Sequence, residues 1–342
     1  MFLCHCLAGA QIITGIVCDE DTRLPISNVS VYLNGTSINT ITNISGIFEL
    51  RTASVINTRL VLQHLSYETA IVDHPFEGIS DTLFLKVQVY SLFEVTVSAD
   101  PFSRKQKKKA FREQFLGMTR AGRSCTIMNE DDIQLTFNMQ TRRLRASSEK
   151  PIVVVNDYLG YKVSFLLVDF WVQYIINTNL NSDYAQNSFF AIVSSFTDIN
   201  PDSRRIKQRR DNVYERSSNY FFKSFAGEAL RNNNFTLFSK SSPINYSNYF
   251  AIKDTVSQKM ISILPDTDIN TMTSLFSTVS RQLEIKAIIS VLYRRNVRSD
   301  ILFMTDSFWV DRYGNIDKFD EIMFSGHMGD CRIGDMLPLD YE

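Results

Sequence analysis

Between Gly15 and Leu50 the chain is built from short alternating stretches separated by turn residues at regular intervals. It reads Gly15-x-Val17-x-Asp19, Leu24-Pro25-Ile26, Val29-x-Val31-x-Leu33-x-Gly35-Thr36 and Thr42-x-x-x-Gly46-x-Phe48-x-Leu50. A period of two places Val29, Val31 and Leu33 on one face and Ser30, Tyr32 and Asn34 on the other, the pattern of a half-buried strand. Strands this short, joined by turns this close together, predict a small β-sandwich.

The same residues resemble the carboxypeptidase-regulatory-like domain, a transthyretin-like (prealbumin-like) sandwich of seven strands found at the N-terminus of many Bacteroidetes envelope proteins. The resemblance implies a domain over residues 11–99, with later strands at Leu60–Leu65, Thr69–Asp73, Thr82–Leu85 and Glu94–Ser98. Where that family has Gly-Tyr after the mid-domain turn, this chain has Ser66-Tyr67, which predicts a less sharp turn.

A chain of 342 residues is long for one such domain and predicts two. Its 44% hydrophobic content, with 25 Phe and 14 Tyr, supplies apolar surface for cores and excludes global disorder. With 36 basic and 37 acidic residues the net charge is -1, so nothing global favours a nucleic-acid partner. The apolar run 1–10 closes on Ala8-Gly9-Ala10, a small-x-small pattern ahead of Gln11, and reads as the remnant of an export signal. No later window has the ~18 uncharged apolar residues of a membrane-spanning helix. Cysteines at 4, 6, 18, 125 and 331 cannot make a disulfide framework once the first two leave with the signal, and read as small buried hydrophobes.

Residues 100–123 carry the run Arg104-Lys-Gln-Lys-Lys-Lys109 followed by Phe111, Phe115 and Gly117, a short helix read as a basic linker. Such a run serves as a surface for anionic lipid or polysaccharide or, more commonly, as a solvated helix face. An α+β domain is expected over 124–342. Its strands are read at Cys125–Met128, Ile133–Asn138, Leu144–Ala146, Ile152–Asn156, Lys162–Trp171, Leu283–Tyr293 and Asp306–Ile316, and one helix over Ser203–Asn232. The segments Phe111–Gly117, Cys125–Asn129, Asn156–Tyr161, Ser325–Gly329 and Arg332–Tyr341 resemble the region that follows the sandwich in Bacteroidetes proteins of unknown activity. The fold class is thus mainly β with α+β.

Catalytic patterns are sparse. Zinc needs three or four oriented ligands, yet His64, His74 and His327 lie in no His-Glu-x-x-His or His-x-x-Glu motif; His64 and His74, with Asp73 close by, are placed to meet on adjacent strands as a surface or structural pair. No Gly-x-Ser-x-Gly and no phosphate loop occurs. His327 and Cys331 are spaced i,i+4 beside Asp330, the spacing of a thiol nucleophile or of a packed closing segment. Glu130-Asp131-Asp132 and Asp317–Glu321 read as weak calcium loops or solvated acids. No metal or cofactor is expected.

The stripe Arg204, Arg205, Lys207, Arg209, Arg210 and Arg216 is the densest later charge. On one helix Arg205 and Arg209 lie a turn apart and Arg216 two turns on, with Tyr220 nearby, so Arg205, Arg209, Arg216 and Tyr220 are the candidate binding residues; an amphipathic helix that solvates its arginines gives the same pattern. What the family resemblance implies is a non-enzymatic, exported, periplasmic or outer-membrane-associated protein that docks to another envelope protein or holds a glycan. A peptide or glycan hydrolase built on His327, Cys331 and a carboxylate is the alternative. Leu92–Ala99 also resembles the lead into the plug of TonB-dependent transporters, which makes an accessory to such a transporter a third reading.

Overall fold

The computed structural model describes residues 11–88, 100–265, 276–277 and 282–342. The expected export remnant at 1–10, the strand Glu94–Ser98 and the transporter-like stretch Leu92–Ala99 lie outside the described residues. The N-terminal body contains β1 (Gln11–Asp19), β2 (Ser30–Leu33), β3 (Asn39–Ile41), β4 (Ile47–Thr52), β5 (Leu60–His64), β6 (Tyr67–Val72) and β7 (Thr82–Leu85). They form two sheets, β4-β1-β7 and β3-β2-β5-β6, with only β1 and β7 parallel. Val17, Val29, Val31, Leu33, Leu60 and Leu62 fill the space between the sheets, which gives the expected seven-stranded sandwich. The expected loose turn is in fact a tight one: Leu65 and Ser66 alone separate the paired residues His64 and Tyr67, and the register shifts between Leu62 and His64. The outer side of β2 is not solvated either, because Tyr32 packs with Val61 against Val193 and Leu166 of the next body.

The second body holds α1 (Arg104–Leu116), α2 (Arg120–Arg123), β8 (Cys125–Ile127), β9 (Gln134–Asn138), β10 (Arg143–Ser147), β11 (Ile152–Asn156), β12 (Tyr161–Tyr174) and β13 (Ala185–Asp198). The sheet runs β8-β11-β12-β10-β9, and β13 pairs along the other edge of β12. Ser103 and Gln106 form a capping box at the start of α1. The helix is not a linker. Phe111 and Phe115 are fully buried and meet Phe170 and Phe165 of β12 at 4.9 and 5.8 Å between ring centroids, so residues 100–123 belong to the core of this body. The basic run and the acidic cluster account for each other: Lys108 Nζ lies 2.7 Å from Asp131, Arg112 pairs with Glu130, and Lys150 stands 3.5 Å from Asp132. The acids are therefore ion-pair partners of lysine and arginine rather than a calcium loop.

A third body follows, with α3 (Arg204–Tyr214), α4 (Ser218–Ala226), β14 (Phe235–Ser239), β15 (Ser242–Ile244), β16 (Phe250–Asp254), β17 (Lys259–Ile263), β18 (Phe276–Ser277), β19 (Gln282–Leu283), β20 (Ala287–Tyr293), β21 (Val297–Phe303), β22 (Ser307–Val310), β23 (Ile322–Ser325) and α5 (Gly326–Asp330). Its main sheets are β15-β14-β20-β21-β23 and β16-β17-β22, and β18 pairs with β19. The single helix expected over Ser203–Asn232 is two. Ser217 accepts a hydrogen bond from the Tyr220 amide at 3.2 Å and starts a new helix that buries Phe221, Phe222 and Phe225 in a separate core. Residues 124–342 accordingly contain two cores rather than one domain around a single core. The segment Asp306–Ile316, read as strand containing the turn Tyr313-Gly314-Asn315, holds β22 up to Val310 and then turns back through Gly314.

That turn locks the bodies together. Tyr313 inserts into the core of the N-terminal sandwich. The Asp311 carboxylate accepts from the amides of Asn57, Tyr313 and Asn315 at 2.9, 2.8 and 2.9 Å, and from Asn315 Nδ2 at 2.8 Å. Gly314 has φ +92°, and a Cβ there would lie 1.9 Å from the Asn219 carbonyl, so only glycine fits. Elsewhere the Gly35 amide donates to the Ser194 carbonyl at 2.7 Å, and the Leu339 amide donates back to Gly35 at 2.8 Å.

Candidate functional site

The four arginine and tyrosine candidates do not share a face. Arg205 is exposed on α3, while Arg209 is drawn onto β-body residues, its guanidinium 4.5 Å from the Tyr158 ring and donating to the Tyr158 carbonyl at 3.2 Å. Arg216 stands beyond the end of α3, where its charge acts on His327. Tyr220, on α4, packs its ring against Tyr214 and Phe235 at 5.3 and 5.6 Å. The helical spacing that would have aligned them fails because the helix stops at Tyr214. Arg210, overlooked as a single residue, is the buried one: it makes a bidentate pair with Asp198.

The catalytic candidates fare similarly. His64 sits at the turn of the β5–β6 hairpin and His74 follows Val72, which pairs with Leu60 at the opposite end, so the two histidines are held apart. Cys331 donates through Sγ to the His327 carbonyl at 3.3 Å, and burial pushes its thiol up to about 12. Burial, with the charge of Arg216, holds the His327 imidazole below its ordinary value. A thiol held protonated and turned onto its own helix is not poised to attack. Among the described residues no group of three His, Cys, Asp or Glu is arranged to hold a metal ion.

A different site emerges along α1. Arg104, Lys105, Lys108, Lys109, Arg112 and Leu116 recur at helical spacing and form one wall of a groove of about 810 Å³. Gly117, Met118, Gly122, Arg123, Cys125 and Glu130 complete it. Six cations thus face two carboxylates, Glu113 and Glu130, in a protein of net charge -1. The hydrogen bond from Lys108 lowers the Asp131 carboxyl, and its partner Lys108 is raised in turn. Burial is the largest single influence on Glu130 and works to raise it, but the hydrogen bonds and charges of Arg112 and Lys108 together outweigh it and leave the carboxyl below its usual range. Lys105 and Arg123 are exposed and have no ion-pair partner among the described residues, and Lys109 has only the loose Glu113 contact at 3.8 Å. The floor is apolar and inert: burial pushes the Cys125 thiol up to about 12, and its Sγ donates to the Ala121 carbonyl.

The end of this groove is where the scattered family-like segments converge. Gly334 packs against Gly122 and the Leu116 carbonyl so closely that a Cβ would fall 2.4 Å from either. The Gly334 carbonyl accepts from Asn156 Nδ2 at 2.8 Å, and Thr119 donates to Asp335 at 2.7 Å. Segments far apart in sequence thus build one clasp that fixes α1, α2 and the C-terminal stretch.

With its two facing sheets and seven strands, the N-terminal body is a β-sandwich domain. Residues 13–97 match the family model of the CarboxypepD_reg-like domain, and that body is a domain of this family. Among the curated proteins none matches the chain.

Proposed function

We propose that this protein is a non-enzymatic binding module, exported to the cell envelope, whose α1 groove takes an acidic glycan. The observation that carries this reading is the charge of the groove: six cations around an apolar floor, four of them with no ion pair closer than 3.8 Å. Guanidinium and ammonium groups so placed bind carboxylate or sulfate groups spaced along a chain. The sandwich is compatible with a binding role, and it contacts the second body through Tyr32 and the Gly35–Ser194 bond. Export is supported by the apolar run 1–10 ending in Ala8-Gly9-Ala10.

The test is calorimetric titration of the full chain with polygalacturonate, alongside the variant Lys105→Glu/Arg123→Glu. Both side chains are exposed, and near the dielectric of bulk water, ~80, a charge contact at ~4 Å is worth roughly 1 kcal/mol, so losing the two contacts weakens binding by at least tens-fold. Affinity falls steeply with salt as the screening length shrinks from about 30 Å to about 8 Å. Equal binding by wild type and variant overturns the reading. Shortened products after long incubation turn it toward a hydrolase. A stoichiometric protein crosslinked in cells, insensitive to the reversals, replaces the glycan with a docking partner.

A further inference from the structure

The outer face of the six-stranded sheet carries a second arrangement, on the side away from α1. An extra residue, Val168, interrupts the pairing of β12 with β13, so that Leu167 opposes Ile192 and Asp169 opposes Ala191. The bulge changes the phase of the strand. Phe165 and Leu167 point inward before it, Phe170 and Val172 after it, and Asp169, Trp171 and Gln173 are turned outward. Trp171 stands between two strands' side chains: Arg143 of β10 places its guanidinium 4.4 Å from the indole, and Phe189 of β13 stacks at 5.9 Å and 25°. Phe189 is 45% exposed and lies on the edge strand. Next to this ladder is a hollow of about 250 Å³ lined by Thr136, Arg145, Ser147, Leu167, Val168 and Asp169. Arg145 Nη2 lies 3.2 Å from Asp169 Oδ1, a single contact that leaves most of the guanidinium and the other carboxylate oxygen available.

We propose that this face binds one ring of a neutral sugar. The Arg145–Asp169 pair carries no net charge, yet sets a strong donor beside a strong acceptor. A hydroxyl both donates and accepts, so neighbouring ring hydroxyls match this pair, whereas an ion of either sign is repelled by the like charge of one member. Thr136 and Ser147 add hydroxyls of the same double character. The exposed ring of Phe189, backed by Trp171, supplies the flat apolar surface on which the C–H face of a pyranose rests. A hollow of about 250 Å³ holds the equivalent of roughly eight waters, which suits a single ring with the remainder of the chain outside. The site is independent of the acidic-glycan reading, since α1 and its groove lie against the opposite side of the sheet.

The chain has two tryptophans, at 171 and 309, and in a Trp309→Phe background the indole of Trp171 reports the site alone. Titration with cellohexaose, maltohexaose and chitotetraose, read by emission and by saturation-transfer NMR, is expected to give saturable binding with at least one of them. Phe189→Ala is expected to weaken it about tenfold, and the isosteric Asp169→Asn, chosen so that volume is kept, to weaken it as well. The groove variant Lys105→Glu/Arg123→Glu is expected to leave it unchanged, which separates failure here from failure of the groove. Absence of binding by all three oligosaccharides, or equal affinity in Phe189→Ala, overturns the proposal.

Discussion

Replacing Arg210 by methionine keeps most of the aliphatic stem and removes the guanidinium, whose loss is felt at four points. Arg210 donates to the Leu159 and Gly160 carbonyls at 2.7 and 3.0 Å and to both Asp198 oxygens at 2.7 and 2.8 Å, with its plane 3.9 Å from the Tyr161 ring. The Arg210 side chain is 7% exposed, so the two carbonyls lose partners that water replaces poorly, whereas Asp198, 31% exposed, is partly rewetted. The loss costs about 2–4 kcal/mol, less than for a fully buried pair. At roughly 2.1 cal/mol/K per residue, a 342-residue chain unfolding as one unit has an entropy near ~0.7 kcal/mol/K, and the midpoint falls by about 3–6 °C. The exposed Arg205→Met is the comparator, with an expected change under about 1 °C. The hydrogen bond from Arg210 holds the Asp198 carboxyl below its usual range. The stability from that shift is present above the unfolded value near ~3.9 and is lost as pH falls through the lower native value, so the gap between wild type and variant narrows in acid. Differential scanning calorimetry at pH 7 and pH 3 measures both effects. Equal midpoints for Arg210→Met and wild type, or an equal loss in Arg205→Met, refute the argument that this arginine pins α3 to the β11–β12 turn.

Two further outcomes follow from the junction and the thiols. Asp311→Asn presents an amide N–H₂ where two of four donors now find an acceptor, which costs roughly 2–6 kcal/mol; an unchanged urea midpoint at pH 7 contradicts it. Burial pushes the Asp311 carboxyl up against the pull of those donors. Wild-type stability from this group therefore falls as pH rises from the unfolded value near ~3.9 through the raised native one, a slope that Asp311→Asn lacks. Cys125 and Cys331, both pushed up to about 12 by burial, are expected to resist iodoacetamide at pH 8 until denaturant is added; rapid labelling of the folded protein at either site excludes that.

Short-range pattern was enough for the N-terminal sandwich, because alternation and turn chemistry act over a few residues: Val29, Val31 and Leu33 line the core as their spacing requires. Ser103 and Gly117 likewise bound α1 by local capping. Three things depended on tertiary contacts. The charges of α1 divided into paired and free only when Glu130 and Asp131 came alongside, a matter of packing that no run of lysines announces. The arginine stripe lost its common face because α4 turned away to bury three phenylalanines, a gain in apolar burial that outweighed continuing one helix. Trp171 was hidden by phase. Counting by twos from Tyr161 places residues 169 and 171 inward, and only the bulge at Val168 turns them out. The one local hint was Asp169, a charge at an inward count whose desolvation the core does not compensate. The sequence by itself therefore determined the sandwich, the strands and the capped helix, where each residue answers to its near neighbours. The tertiary structure alone decided which charges and aromatics stay free to meet a ligand, because that depends on what distant segments cover.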